Sequence, residues 1–269
     1  MKKLTALILT GALVLSCTAC GDSDTSKDTG SSAGTNTETV STEVVGGTED
    51  TGDADTDTDA AVMSYAEYVA ADLESPVVVE TYVQAKQSWW DDKATVYTQD
   101  EDGAYFLYNM ACSEEDYDLL TQGTKIRVTG YKSEWSGEVE IIDATFEIID
   151  GNYVASAKDV TELLGTDELI DSQNQFVSFT GMTVEAANDN GDAFMYNWDG
   201  SGADGDDLYF NVSYNGQTYT FTVESYLCGA GTDVYETVKT LNVGDTVNME
   251  GFLYWYEGVN PHITSVTVQ

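Results

Sequence analysis

Three short stretches set large aromatic rings beside carboxylates: Ser88-Trp89-Trp90-Asp91-Asp92, Glu134-Trp135-Ser136-Gly137 and Trp255-Tyr256-Glu257-Gly258. An exposed ring next to an acid suits a sugar, because the ring covers a pyranose face while carboxylate oxygens accept from hydroxyls. The same pairs repel phosphate. Packing is the competing use, since Trp and Tyr are mostly buried on average and each ring can equally fill a junction between domains. His262, the only histidine, follows Pro261 at the start of the last apolar run, near Trp255 and Tyr256 in sequence. Trp89, Trp90, Trp135, Trp255, Tyr256 and His262 are therefore the candidate ligand contacts. Without a second histidine, a Gly-x-Ser-x-Gly elbow or a His-Glu-x-x-His pair, zinc chemistry and histidine-assisted serine catalysis lack parts. No catalytic set and no cofactor site emerge, and hydrolysis of a glycoside by two carboxylates remains a lesser alternative.

Two further groups could do chemistry. Asp199, Asp204, Asp206 and Asp207 crowd one glycine-rich loop. Such oxygen donors can hold calcium, although the spacing matches no EF-hand and Gly-Asp loops are ordinary hairpin connections. Cys112 and Cys228 each precede a short helical stretch. A disulfide would need their alpha carbons within about 7 Å, so buried free thiols are the expected state.

Charge limits the partners. The 48 acidic residues outweigh 10 basic ones, giving a formal net charge of -38. A nucleic-acid binder needs a cationic footprint to displace counterions from phosphates, which this chain lacks. Solubility outside the cell is the plainer meaning of so much negative charge.

The residues around these candidates alternate in the manner of half-buried strands. Leu120–Ile148 and Leu241–Val268 are copies of one unit: Gly123 matches Gly244, Ile126 matches Val247, Gly130 matches Gly251 and Gly137 matches Gly258. A repeat of this kind is one supersecondary unit used twice. In the first copy the expected order is three strands (77–85, 94–98, 104–110), a helix capped by Ser113, then a hairpin (125–135, 138–148). A preceding helix spans 65–73. The second copy places strands at 175–185, 192–198, 207–214 and 217–224, with one extra strand or a long bent one to absorb, then a helix at 233–241 and the hairpin. A helical connector covers 161–170. Three strands, a helix and two strands is the order of an oligonucleotide/oligosaccharide-binding (OB) barrel, whose ligands usually lie near the loops after strands one and four. Gly130 and Gly251, in the middle of the fourth strands, permit the coiling that closes a small barrel.

The segments DGAYFLYNMACSEEDYDLL, GTKIRVTGYKSEWSGEVEIIDATFEI, NQFVSFTGMTVEA and VGDTVNMEGFLYWYEGVNPHITSV resemble the tandem OB-fold lipoproteins of gut-type Firmicutes. The resemblance covers nearly all of 63–269 and implies two barrels displayed at a cell surface. That family has no assigned activity, so the resemblance implies no site residues.

The N-terminus agrees with it. Lys2 and Lys3 precede the uncharged run Leu4–Ser16, a signal-peptide layout too short for an ordinary membrane span. Ala19-Cys20-Gly21 reads as a lipobox with Cys20 acylated; Cys17 is the alternative anchor, and cleavage without lipidation a further one. Residues 21–62 carry 11 acids, one lysine and no aromatic residue. They cannot bury enough apolar surface to order themselves and would span roughly 35 Å as flexible coil. The expected organisation is a lipoprotein signal peptide (1–19), an acidic tether (20–62), OB-like domain 1 (63–150), a connector (151–171) and OB-like domain 2 (172–269). The expected function is non-enzymatic binding of a glycan or other neutral ligand by an extracytoplasmic, membrane-anchored protein. The alternatives are docking within an envelope assembly and, disfavoured by charge, nucleic-acid binding.

Overall fold

A computed structural model describes residues 61–269. The leader, Cys20 and the tether up to residue 60 lie outside the described residues. The chain enters through α1 (Tyr65–Ala70), whose Ser64 and Glu67 form a reciprocal capping box. The helix stops short of the expected Leu73. Its last carbonyls are taken by Lys132, whose Nζ donates to Tyr68 O (3.0 Å), Val69 O (2.9 Å) and Ala71 O (2.8 Å), a cation at the negative end of the helix dipole.

Strands β1 (Pro76–Lys86), β2 (Lys93–Gln99), β3 (Ala104–Ala111), β4 (Thr124–Trp135) and β5 (Glu138–Asn152) close in the order β1-β2-β3-β5-β4. All pairings are antiparallel except β3 with β5. Their inward residues, among them Val79, Val96, Leu107, Ile126, Val128 and Ile141, are fully buried. Helix α2 (Glu114–Leu119) sits between β3 and β4, with the Ser113 side chain accepting from Asp116 N–H.

The second unit opens with β6 (Lys158–Asp159) and two 3-10 turns, Thr161–Leu163 and Asp167–Ser172, where one helix was expected. Gly165, at φ +80°, breaks the run, while Leu164 and Leu169 still reach the core. Strands β7 (Phe176–Glu185), β9 (Leu208–Tyr214), β10 (Gln217–Val223), β12 (His262–Val268) and β11 (Thr246–Phe252) form a ring that closes through β7–β9 and β7–β11. This ring has the same order as the first, with the equivalent pair β10–β12 parallel. The extra strand is β8 (Phe194–Tyr196), added outside the ring beside β9 and shorter than the 192–198 expected. Helix α3 (Asp233–Val238) buries Val234, Tyr235 and Val238, the inward stripe of the sequence, and ends before the expected residue 241. The protein is therefore mainly β, two closed five-stranded OB-like barrels in tandem.

The matched glycines do matching work. Pairing slips by one residue at Gly130 against β5 and at Gly251 against β12. A β-carbon at Gly130 would stand 2.8 Å from Ile142 O, and one at Gly251 would collide with the backbone of His262 and Ile263. The copies part at their tips. β4 and β5 run to a tight turn, whereas residues 253–261 between β11 and β12 form a loop held by a Trp255–Val259 bridge.

The barrels share a packed junction. Tyr97, Phe106 and Phe252 are buried there, with Phe176, Leu227 and Tyr254 against them. Polar bonds register the contact: Phe176 N–H donates to Gln99 Oε1 (2.7 Å), Ser88 N–H to Tyr226 O (2.7 Å) and Glu257 N–H to Ser136 O (2.8 Å).

Candidate functional site

Beside that junction lies a cleft of about 590 Å³, within the range of small-molecule sites. The first barrel contributes Tyr108, an outward residue of β3, and Trp135 at the tip of β4. The second contributes Tyr209 on β9, Thr222 and Glu224 at the end of β10, Trp198 and Asp207 from the loop between β8 and β9, Tyr254, Tyr256, Glu257 and Asn260 from the loop before β12, and His262 at the start of β12. Alternation sets Tyr108 opposite the buried Tyr105 and Leu107, and a bulge at Asn109 (φ +50°) returns Met110 to the core. Four rings are solvent-exposed, Trp198 by 74%, Trp135 by 54%, Tyr108 by 45% and Tyr256 by 44%. Trp135 and Tyr256 come from different barrels, yet their rings lie 5.0 Å apart and tilted by 38°.

His262 forms the floor. Its ring stacks on Tyr254 at 4.2 Å, and its Nδ1 is 2.6 Å from the Tyr97 hydroxyl at the base of the junction. Burial pushes its pKa down to about 3, so it is a neutral polar group at ordinary pH, not a cation. Glu224 is pushed the other way, up to about 7, chiefly by burial. The N–H groups of Tyr226 and Leu227, which donate to its Oε1 (3.1 Å) and Oε2 (2.8 Å), oppose that shift. The charge of Asp207 adds to it. Asp207 in turn accepts from Ser225 N–H (2.8 Å) and Ser225 Oγ–H (2.7 Å) through Oδ1. Thr222 Oγ1 donates to Asn260 Oδ1 (2.8 Å), fixing the amide on the same wall. The cleft offers flat apolar faces, carboxylate acceptors and a neutral imidazole, with no lysine or arginine among its lining residues.

Of the six candidates, Trp135, Tyr256 and His262 meet in this cleft. Trp90 is exposed by 65% but lines an adjoining hollow with Tyr226, on the far side of Gln87 and Tyr108. Trp89 and Trp255 require correction. Trp89 turns its indole to Cys112 O (2.9 Å) and is half-buried, because it precedes Trp90 in an extended segment whose successive side chains point to opposite sides before the Asp91-Asp92 turn. Trp255 packs against the second core and over Gly137, where a β-carbon would approach its Cδ1 to 2.8 Å. Its backbone N–H donates to Glu138 Oε2 of the first barrel (2.9 Å), so it joins the barrels and does not face the cleft.

The acidic loop divides its carboxylates. Asp204 pairs with Lys239 (2.9 Å), Asp199 and Asp206 accept from their own loop, and Asp207 faces the cleft. Among the described residues no three potential ligands gather as a metal centre. Cys112 is buried and Cys228 half-buried, both as free thiols. Sequence reasoning missed Trp198, Tyr108, Tyr209, Tyr254, Glu224 and Asn260. Trp198 carried a signal, since it closes the expected strand 192–198 against a Gly-Asp loop that offers it no core. The others are outward strand or loop residues that only the facing of two barrels brings together.

No family model matches the chain, and no characterised protein matches it by sequence. Among solved structures, it is similar to a murine DNA-binding protein bound to double-stranded DNA, with a TM-score of 0.35 and 11% identity over 72% of this chain and 98% of that one. The p204 HINb domain gives 0.33 and 12% identity over 73% and 98%. A replication protein A heterotrimer bound to single-stranded DNA gives 0.30 and 13% identity over 73% of this chain and 49% of that one. The tandem-barrel architecture of this chain rests on its own strand pairings.

Proposed function

We propose that this protein is a lipid-anchored extracytoplasmic member of the tandem OB-fold lipoproteins that binds a saccharide in the cleft between its barrels. The observation that carries the reading is the exposure of Trp135, Trp198 and Tyr256 around Asp207, Glu224 and Glu257. Exposed rings give stacking area to pyranose faces, and carboxylates, Asn260 and the neutral His262 give hydrogen bonds to hydroxyls. The role is binding, not turnover: both Glu224 oxygens and one Asp207 oxygen are already engaged by the turn that follows β10.

The test is a broad glycan screen followed by titration of the best ligand against the wild type and Trp135→Ala. The wild type should bind, and Trp135→Ala should weaken binding by about tenfold, the loss of one stacking face. No binding across the screen sinks the reading, and a stable co-purifying protein would then favour docking in an envelope assembly. Nucleic acid is the remaining arm. A cleft with three acids and no base predicts no salt-sensitive affinity for DNA or RNA, and a steep loss of binding with added salt would reverse that.

A further inference from the structure

The charge of the cleft narrows the ligand further, on the premise that a saccharide occupies it. Asp207, Glu224 and Glu257 are the acidic members of its wall. Glu224 is almost completely buried, and one oxygen of Asp207 is tied to Ser225. A neutral sugar seated over them would give hydrogen bonds but would remove water from carboxylates without balancing their charge, which is costly. The rings around them are also not indifferent to charge. The faces of Trp and Tyr carry negative potential and attract a cation, and Trp135, Trp198, Tyr108 and Tyr256 surround the acids. Pyranose rings with protonated amino groups satisfy both features at once, stacking on the indoles and pairing with the carboxylates.

We propose that the ligand is a cationic saccharide, an oligomer of unacetylated amino sugar, with its ammonium groups directed to Asp207, Glu224 and Glu257 and its ring faces to Trp135 and Trp198. The adjoining hollow gives an oligomer room to continue past Gln87 and Tyr108 to Trp90. There the wall carries Lys93 and no acid, so the preference for positive charge belongs to the main cleft.

The experiment is calorimetric titration of the full chain, in detergent, with a short β-1,4-linked glucosamine oligomer and with its N-acetylated counterpart of equal length. The glucosamine oligomer should bind about tenfold more tightly, and the advantage should shrink as salt is raised. A chain of net charge -38 attracts any polycation, so variants supply the decisive comparison. Glu257→Gln changes an exposed side chain and should reduce the preference for the amino form, and Asp207→Asn should reduce it while keeping an acceptor for Ser225. Trp135→Ala should weaken both oligomers. Equal affinity for the two oligomers overturns the charge inference and leaves the saccharide reading standing. Binding of neither overturns both. Glucosamine binding that is unmoved by Trp135→Ala and Glu257→Gln assigns the attraction to the whole molecule and overturns the inference.

Discussion

Glu138 begins β5 at full burial, between the two barrels. Its Oε2 accepts from Trp255 N–H (2.9 Å) and Gln173 Nε2 (3.3 Å), while its Oε1 has no partner. Burial pushes its pKa up to about 8 from an ordinary 4.5. The hydrogen bonds from Trp255, Asn174 and Gln173 oppose that shift without cancelling it. Between about pH 4.5 and 8 the folded chain therefore holds a proton that the unfolded chain has released, and stability falls as pH rises through that window. His262 acts in the opposite direction. Held neutral with a pKa near 3 against an ordinary 6.5, it contributes stability above 6.5 that is lost as pH falls toward 3. Glu138→Gln removes the first effect alone. Chemical denaturation should show the variant and wild type nearly equal at pH 4, with the variant ahead by roughly 2–4 kcal/mol at pH 8.5. A difference that does not change with pH would show that Glu138 is not protonated in the fold.

At the scale of elements, the fourth strand of each barrel depends on one glycine for a close approach. At Gly251 the obstacle to a side chain is backbone, from His262 and Ile263, which cannot rotate away as a flexible side chain would. Gly251→Ala should cost roughly 1–3 kcal/mol in urea denaturation, the usual penalty of overpacking. It should also weaken ligand binding, since the strained partner is the strand that carries His262. Substitution at Gly181, where a β-carbon would meet nothing within 4 Å but φ is +68°, tests backbone conformation without crowding and should cost less. Gly130 and Gly251 were legible as a matched pair in the repeat. The difference between the two tips was not. At the offset of the repeat Trp135 matches Tyr256 and Glu134 matches Trp255, and Glu138 of the first barrel captures Trp255 N–H.

At the scale of the molecule, the junction makes one cleft from two modest faces. Tyr97 belongs to the first barrel and His262 to the second, and their 2.6 Å hydrogen bond lies beneath the cleft. The proposed position in the cell rests on the N-terminal sequence. Cys20, outside the described residues, is the proposed attachment point, and two acyl chains on it would give stable anchoring where one alone would be marginal. Cys20→Ser should move the protein from the membrane fraction to the soluble one and abolish labelling by a radioactive fatty acid. Retained labelling together with loss on Cys17→Ser would assign the anchor to Cys17. Among the described residues no helix is long and apolar enough to cross a membrane.

Local pattern determined a good part of this protein. Alternation in β1 to β5, the Ser113 cap, the inward stripe of α3 and the paired glycines are properties of neighbours in sequence, and the fold keeps them. The aromatic-acid stretches were legible too, but not which rings would be free. That was decided in three dimensions. Trp255 is drawn into the join by a buried glutamate 117 positions away. Trp135 and Tyr256 meet at 5.0 Å because two barrels face each other. Periodicity reports which side of its own strand a residue occupies; it carries no information about what a second domain will place opposite.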